Sequence, residues 1–362
     1  MNVLIAPNSM KGSLSAAEFA KAIQYGLANS EYDFQYRLMP VADGGDGTAV
    51  VLAKALGASK QLVPAHDPLM REIEVPIYIT HDKQVIFEMA DVAGMKLLSA
   101  NELNPMVTTT YGVGEVIRYC LEKGYKKILL GVGGSATVDG GLGLLAALGG
   151  KVFDNSGNEL KPIASNLHNI AKLKLAQLGS IKIEVLCDVD NPLTGINGAA
   201  NIFAPQKGAS DADVAKLEKG LTNWGDLFNA NLKTTPMMGA AGGIAVALKS
   251  CFDAELVPGA ETVLKRIGFH EALEKADVVI TGEGQIDEQT ECMKAPSVVA
   301  EACRITGKKI YALAGSVKDN CNFDAAFAVW DGKIPLSEAM ANAEQLVQQK
   351  AKSIAKVIFE GV

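Results

Sequence analysis

Lys126 to Val132 reads as a buried strand that passes straight into Gly133-Gly134. The same succession of apolar strand, glycine-rich or acidic loop, then helix recurs along the chain. Val3 to Ala6 is closed by Pro7 and followed by a Ser15-x-x-Glu18 capping box, after which Phe19, Ile23 and Leu27 repeat at helical spacing up to Asn29. Phe34 to Leu38 predicts a second strand and Ala49 to Leu56 a helix stopped by Gly57. Glu184 to Asp188, Val278 to Thr281 and Ile310 to Ala314 predict further strands, the last two separated by a helix that begins after Pro296 and is stopped by Gly307. Apolar strands that each run into a loop and a helix predict a three-layer α/β fold with a mostly parallel sheet.

Between about residues 60 and 110 the pattern changes to short extended pieces, Glu74 to Ile79 and Gln84 to Met89 among them, with prolines at 64, 68, 76 and 105. This predicts a hairpin-containing region outside the alternating unit. A chain of 362 residues suits two cores. The expected division is therefore discontinuous, with one α/β domain from 1–60, 111–150 and 260–362 and a second from 61–110 and 151–259. A helix over Gly114 to Lys123 and a final helix over Ser337 to Phe359 complete the pattern, and Ile244 to Leu248 reads as a buried helix.

A net charge of −7 argues against a nucleic-acid footprint, which needs a basic face. Cysteines at 120, 187, 251, 292, 303 and 321 follow no zinc spacing and read as reduced thiols of a cytoplasmic protein. Histidines 66, 81, 168 and 270 are isolated. No signal peptide or apolar run of membrane-spanning length is expected.

The polar loops that follow the strands carry the chemistry. Pro7-Asn8-Ser9-Met10-Lys11-Gly12 offers Lys11 to a phosphate or carboxylate. Ala42-Asp43-Gly44-Gly45-Asp46-Gly47-Thr48 sets two carboxylates in a turn, able to hold magnesium, orient a hydroxyl or cap the next helix. Gly131 to Gly141 contains Gly133, Gly134, Ser135 and Thr137, whose amides and hydroxyls can converge on phosphate oxygens. It is neither a Walker A sequence nor G-x-G-x-x-G. Asp188 and Asp190 follow another strand and can bind magnesium or accept a hydroxyl proton, with Lys207 in Pro205-Gln206-Lys207-Gly208 as a phosphate partner. Thr281-Gly282-Glu283-Gly284-Gln285-Ile286-Asp287-Glu288-Gln289-Thr290 adds Gly282, Glu283 and Asp287 beyond a strand, followed by Lys294. Several acids facing one anionic ligand repel it unless a divalent cation or lysines intervene, so the loops together suggest phosphoryl transfer.

In their order, Ala6 to Ser13, Pro40 to Thr48, Gly133 to Gly141, Cys187 to Leu193, Phe203 to Ala209, Gly239 to Gly243 and Thr281 to Pro296 resemble the bacterial-type (type-1) glycerate kinases over essentially the whole chain. The resemblance implies two α/β domains, one Rossmann-like, with the active site in the interdomain cleft. It also implies ATP- and Mg2+-dependent phosphorylation of D-glycerate in the cytoplasm, with 2-phosphoglycerate as product. Carried onto this sequence, it points to Lys11, Asp43, Asp188, Asp190, Lys207 and Glu283 as catalytic, with Asp188 and Asp190 also as metal ligands. Gly133, Gly134, Ser135, Thr137, Gly282 and Lys294 are the expected nucleotide contacts. No nucleic acid or membrane partner is expected, and a homo-oligomer stays open. Departures from the family pattern are Asn8, Met10, Asp46, Val138, Gln285 and Met293. The last two keep open a kinase for a related short hydroxy acid or a catalytically reduced ligand-binding homologue.

Overall fold

The computed structural model describes residues 1–177, 179–287, 294–318 and 322–361. The chain forms two compact units, Met1–Asp43 with Val50–Leu56 and Pro258–Val362, and Gly44–Ala49 with Gly57–Val257. The strands are β1 (Asn2–Ile5), β2 (Gln35–Leu38), β3 (Ser59–His66), β4 (Glu72–Ile79), β5 (Gln84–Glu88), β6 (Lys127–Gly131), β7 (Lys151–Phe153), β8 (Lys172–Lys174), β9 (Lys182–Cys187), β10 (Glu255–Pro258), β11 (Val278–Ile286), β12 (Lys309–Val317) and β13 (Ala325–Ala328).

The first unit is a parallel five-stranded sheet in the order β13-β12-β11-β1-β2. Because strand side chains alternate between faces, the buried residues separate into two cores. Val3, Ile5, Val278 and Ile280 pack with the helices Ala16–Ala28 and Ala343–Glu360, while Leu4, Ala6 and Val279 pack with Gly259–Arg266, Phe269–Glu274 and Ala295–Thr306. This is the expected three-layer arrangement. The capping box forms as expected, Glu18 N–H donating to Ser15 Oγ (3.3 Å) and Ser15 N–H to Glu18 Oε2 (2.9 Å). The expected single C-terminal helix is instead two, Leu336–Ala341 and Ala343–Glu360, broken at Asn342, where ψ reaches 16°.

The second unit carries a mixed sheet, β10-β9-β6-β5-β4-β3, and the antiparallel pair β7-β8. β3, β4 and β5 pair antiparallel, the hairpin region expected between residues 60 and 110, whereas β5, β6 and β9 run parallel. The expectation that 111–150 accompanies the N-terminal strands is corrected. β6 lies within that segment and bonds β5 on one side and β9 on the other, so the whole segment falls in the second unit. Trp224, fully buried, donates from Nε1 to Gly140 O at 2.9 Å and fixes the end of the glycine-rich loop. Among the described residues no helix is long and apolar enough to cross a membrane.

Helices Ala16–Ala28 and Ala343–Glu360 meet at Gly26, where an added Cβ lies 2.3 Å from Gln348 O and 2.7 Å from Ala351 Cβ. A backbone oxygen cannot rotate away. Overpacking of about 1–3 kcal/mol therefore outweighs the roughly 1 kcal/mol of helix propensity that alanine adds. Gly26→Ala is expected to lower the urea unfolding midpoint; an unchanged or raised midpoint contradicts this packing.

Candidate active site

In the first unit the chain turns away from β1 toward β2 on one side and is met by β11 on the other. The carboxyl ends of such neighbouring strands form the ligand crevice of open parallel sheets. The ladder continues past β1 as Asn8 N–H donates to Gly282 O (2.8 Å) and Val41 N–H to Pro7 O (3.0 Å). Asn8, buried, reaches Asp43 through Nδ2 to Oδ2 at 2.9 Å. Lys11 is exposed on a tight turn closed by reciprocal Met10–Leu14 backbone bonds of 2.9 and 3.0 Å. Glu283 is buried, and Lys294 Nζ lies 4.0 Å from its Oε2, at the N-cap of helix Ala295–Thr306. The loop expected from Thr281 onward begins later, because β12 pairs with β11 through Gln285 and Ile286. Gly282 and Glu283 thus belong to the strand. Gln289, Thr290 and Met293 lie outside the described residues.

In the second unit β5, β6 and β9 deliver three loops to one sheet edge. The loop after β6 is laced to its neighbours: Gly133 N–H donates to Gly44 O (3.1 Å), Met95 N–H to Gly134 O (2.9 Å) and Ala136 N–H to Ala93 O (2.8 Å). A Cβ at Gly133 would lie 2.5 Å from Gly45 Cα, so the two segments pass where only glycine fits. The Gly133 amide is consequently occupied, contrary to its expected use on an anion.

Lys207, from the turn Pro205–Lys207, is fully buried beneath this loop. Its Nζ donates to Ser135 Oγ and to Thr137 O, each at 2.8 Å. Thr137 is buried, and its Oγ1 has no hydrogen-bond partner among the described residues. Asp139, also buried, accepts from the N–H groups of Thr110 (2.8 Å), Gly141 (3.0 Å) and Gly143 (3.1 Å). Burial raises the Asp139 pKa against those bonds. Burial pulls the Lys207 ammonium down to about 7, opposed by the charge of Asp139. Beyond β9, Asp188 is half-buried and Asp190 exposed. The Asp190 and Asn191 carbonyls accept from Met237 N–H (3.0 Å) and Gly239 N–H (2.9 Å), which ties this acidic loop to the Gly239–Gly243 segment.

One constellation escaped the sequence reasoning. Glu88, the last residue of β5, accepts from Gly47 N–H at 3.0 Å and from Ala49 N–H. Asp46, Glu88 and Asp91 bring carboxylate oxygens within 4.8 Å of one another. Lys96 Nζ sits 2.6 Å from both Asp46 and Asp91, so an ammonium already compensates the group. Burial alone would lower the Lys96 pKa, but these hydrogen bonds overcome it and raise it above the ordinary lysine range. Burial, with the charge of Asp91, pushes the Glu88 carboxyl up to about 8 against its two backbone donors. An acid at the end of an otherwise apolar strand was the available signal.

With a folded pKa near 7 and an unfolded value near that of free lysine, Lys207 binds less proton folded than unfolded between those limits. Its share of stability therefore rises with pH across that window and is least favourable below it. Lys207→Met is expected to reduce proton uptake on unfolding near pH 9 by about one, read from the slope of unfolding free energy against pH. An unchanged slope contradicts the lowered pKa.

A model of the glycerate kinase family matches residues 3–359. A protein named glycerate 2-kinase from Escherichia coli (strain K12) is 37% identical over 377 residues, covering 100% of this chain and 99% of that one. One named glycerate kinase from Bacillus subtilis (strain 168) is 37% identical over 375 residues, with 99% and 98% covered. A crystal structure described as a glycerate kinase 2 of Salmonella typhimurium LT2 superposes with a TM-score of 0.82 at 35% identity, over 100% of this chain and 99% of that one. Similarity of this extent, spanning every loop described above, means that the chain belongs to the glycerate kinase family.

Proposed function

We propose that this kinase transfers the terminal phosphoryl group of ATP to the 2-hydroxyl of D-glycerate in the cytoplasm. The observation that carries this reading is a glycine loop clamped by the buried Lys207, with Asp188 and Asp190 beyond the neighbouring strand of the same sheet. The relative named glycerate 2-kinase supports the choice of hydroxyl.

In this reading the acceptor oxygen attacks the terminal phosphorus in line and the bond to the bridging oxygen of the leaving diphosphate breaks. Asp188 or Asp190 accepts the hydroxyl proton. The Gly134 and Ser135 amides meet the phosphate, whereas Lys207 acts from below by holding Ser135 and Thr137 in place. In the first unit, Lys11 and Lys294 offer positive charge to an anion. Asn8 orients Asp43 toward a hydroxyl, and Glu283 steadies Lys294. The oxygen-only donor set of Asp188 and Asp190, with one carboxylate exposed, fits Mg2+, which takes one or two carboxylates and keeps its remaining positions for water and phosphate. When bound there it would neutralise phosphate charge.

Phosphorus NMR of the product from D-glycerate and MgATP is expected to give 2-phosphoglycerate; turnover of L-glycerate, tartronate, glycolate or lactate in place of D-glycerate overturns the substrate assignment. Replacing both Asp188 and Asp190 by Asn should lower kcat by about 100-fold or more with little change in Tm. Near-native turnover in that variant removes both from the mechanism.

A further inference from the structure

Glu88 stands outside the reacting groups assigned above, yet its bonds lead to them. Its side chain is buried at the carboxyl end of β5, and its two oxygens accept from Gly47 and Ala49, one on each side of Thr48. Thr48 Oγ1 in turn accepts from Gly44 N–H at 3.1 Å, closing the Gly44–Thr48 turn on itself. Gly44 O then accepts from Gly133 N–H, so the turn sets the position of the residue immediately before Gly134 and Ser135. A second tie runs through Lys96. It bridges Asp46 of the turn to Asp91, while the adjacent Met95 N–H holds Gly134 O.

We infer that Glu88 is a positioning residue of the kinase. Its carboxyl group clamps the Gly44–Ala49 turn through both oxygens, and through the Gly44–Gly133 bond it holds the glycine loop in the geometry that receives phosphate. The inference rests on the reading of that loop as the ATP contact. The clamp needs two acceptor oxygens at the reach of a glutamate. Glutamine keeps one acceptor and turns an NH2 donor toward the other N–H, and aspartate keeps both oxygens but draws them back by one methylene.

The test starts from native enzyme shown to turn over D-glycerate with MgATP; failure there sinks the proposed function, and amide exchange in Glu88→Gln then decides the clamp by itself, native exchange over 44–49 and 131–137 overturning it. Glu88→Gln is expected to raise the Kd of a nonhydrolysable MgATP analogue and the KM for ATP by about tenfold or more, corresponding to about 1.4 kcal/mol. Deuterium uptake should rise in peptides covering 44–49 and 131–137 and stay native in the β11–β12 peptides. Glu88→Asp should recover part of the affinity. Native affinity together with native exchange in Glu88→Gln overturns the inference. A rise confined to the KM for glycerate keeps Glu88 as a positioning residue and overturns the assignment of the loop to ATP. Should Glu88→Gln fail to fold, amide exchange in the native protein decides: Gly47 and Ala49 must be protected despite the exposure of neighbouring Asp46, and unprotected exchange at Gly47 overturns the inference.

Discussion

The pairing of β1 with β11 is the contact on which the first unit depends. Val3, Leu4 and Ile5 lie beside Val278, Val279 and Ile280 in parallel register, joining residues separated by most of the chain. Without that contact β1 and β2 are a two-stranded remnant, too small to cover either core. With it, alternate side chains feed two apolar layers at once, and the loops after β1 and β11 emerge at one edge. The Asn8 amide on Gly282 and the Thr281 hydroxyl on Ala6 O (2.9 Å) extend the same junction into the polar residues.

The second unit solves a related problem with different means. Its sheet edge carries a long glycine-rich loop that helix or strand hydrogen bonds alone would leave loose. Buried polar groups supply the missing ties: Lys207 on Ser135 and Thr137, Asp139 on Thr110, Gly141 and Gly143, and Glu88 on Gly47 and Ala49. Each is costly to bury and well bonded once buried, which makes the loop's geometry definite rather than merely permitted.

Local signals in the sequence were readable because their physics is local. The Ser15–Glu18 capping box, the stop at Gly307 and the strands β1, β6 and β9 appear within a residue or two of expectation. What stayed hidden depends on partners far along the chain. Whether 111–150 joins the first or second sheet is decided by β6 bonding β5 and β9, and the length of β11 by its pairing with β12. The use of the Gly133 amide depends on Gly44, and the role of Glu88 on a turn some forty residues earlier. The candidate residues were legible as residue types in loops; that Lys207 works from beneath its loop was not, since nothing in Pro205-Gln206-Lys207-Gly208 announces burial.

The register of β1 against β11 also fixes an order of events during synthesis. Every residue from Gly57 to Val257 leaves the ribosome before Val278 does, so the second unit can complete its sheet while β1 still lacks its neighbour. During that interval β1 presents an unpaired apolar edge to its surroundings. The part of the chain made first is therefore among the last to be secured, since the apolar edge of β1 is covered only once the late-made β11 pairs with it.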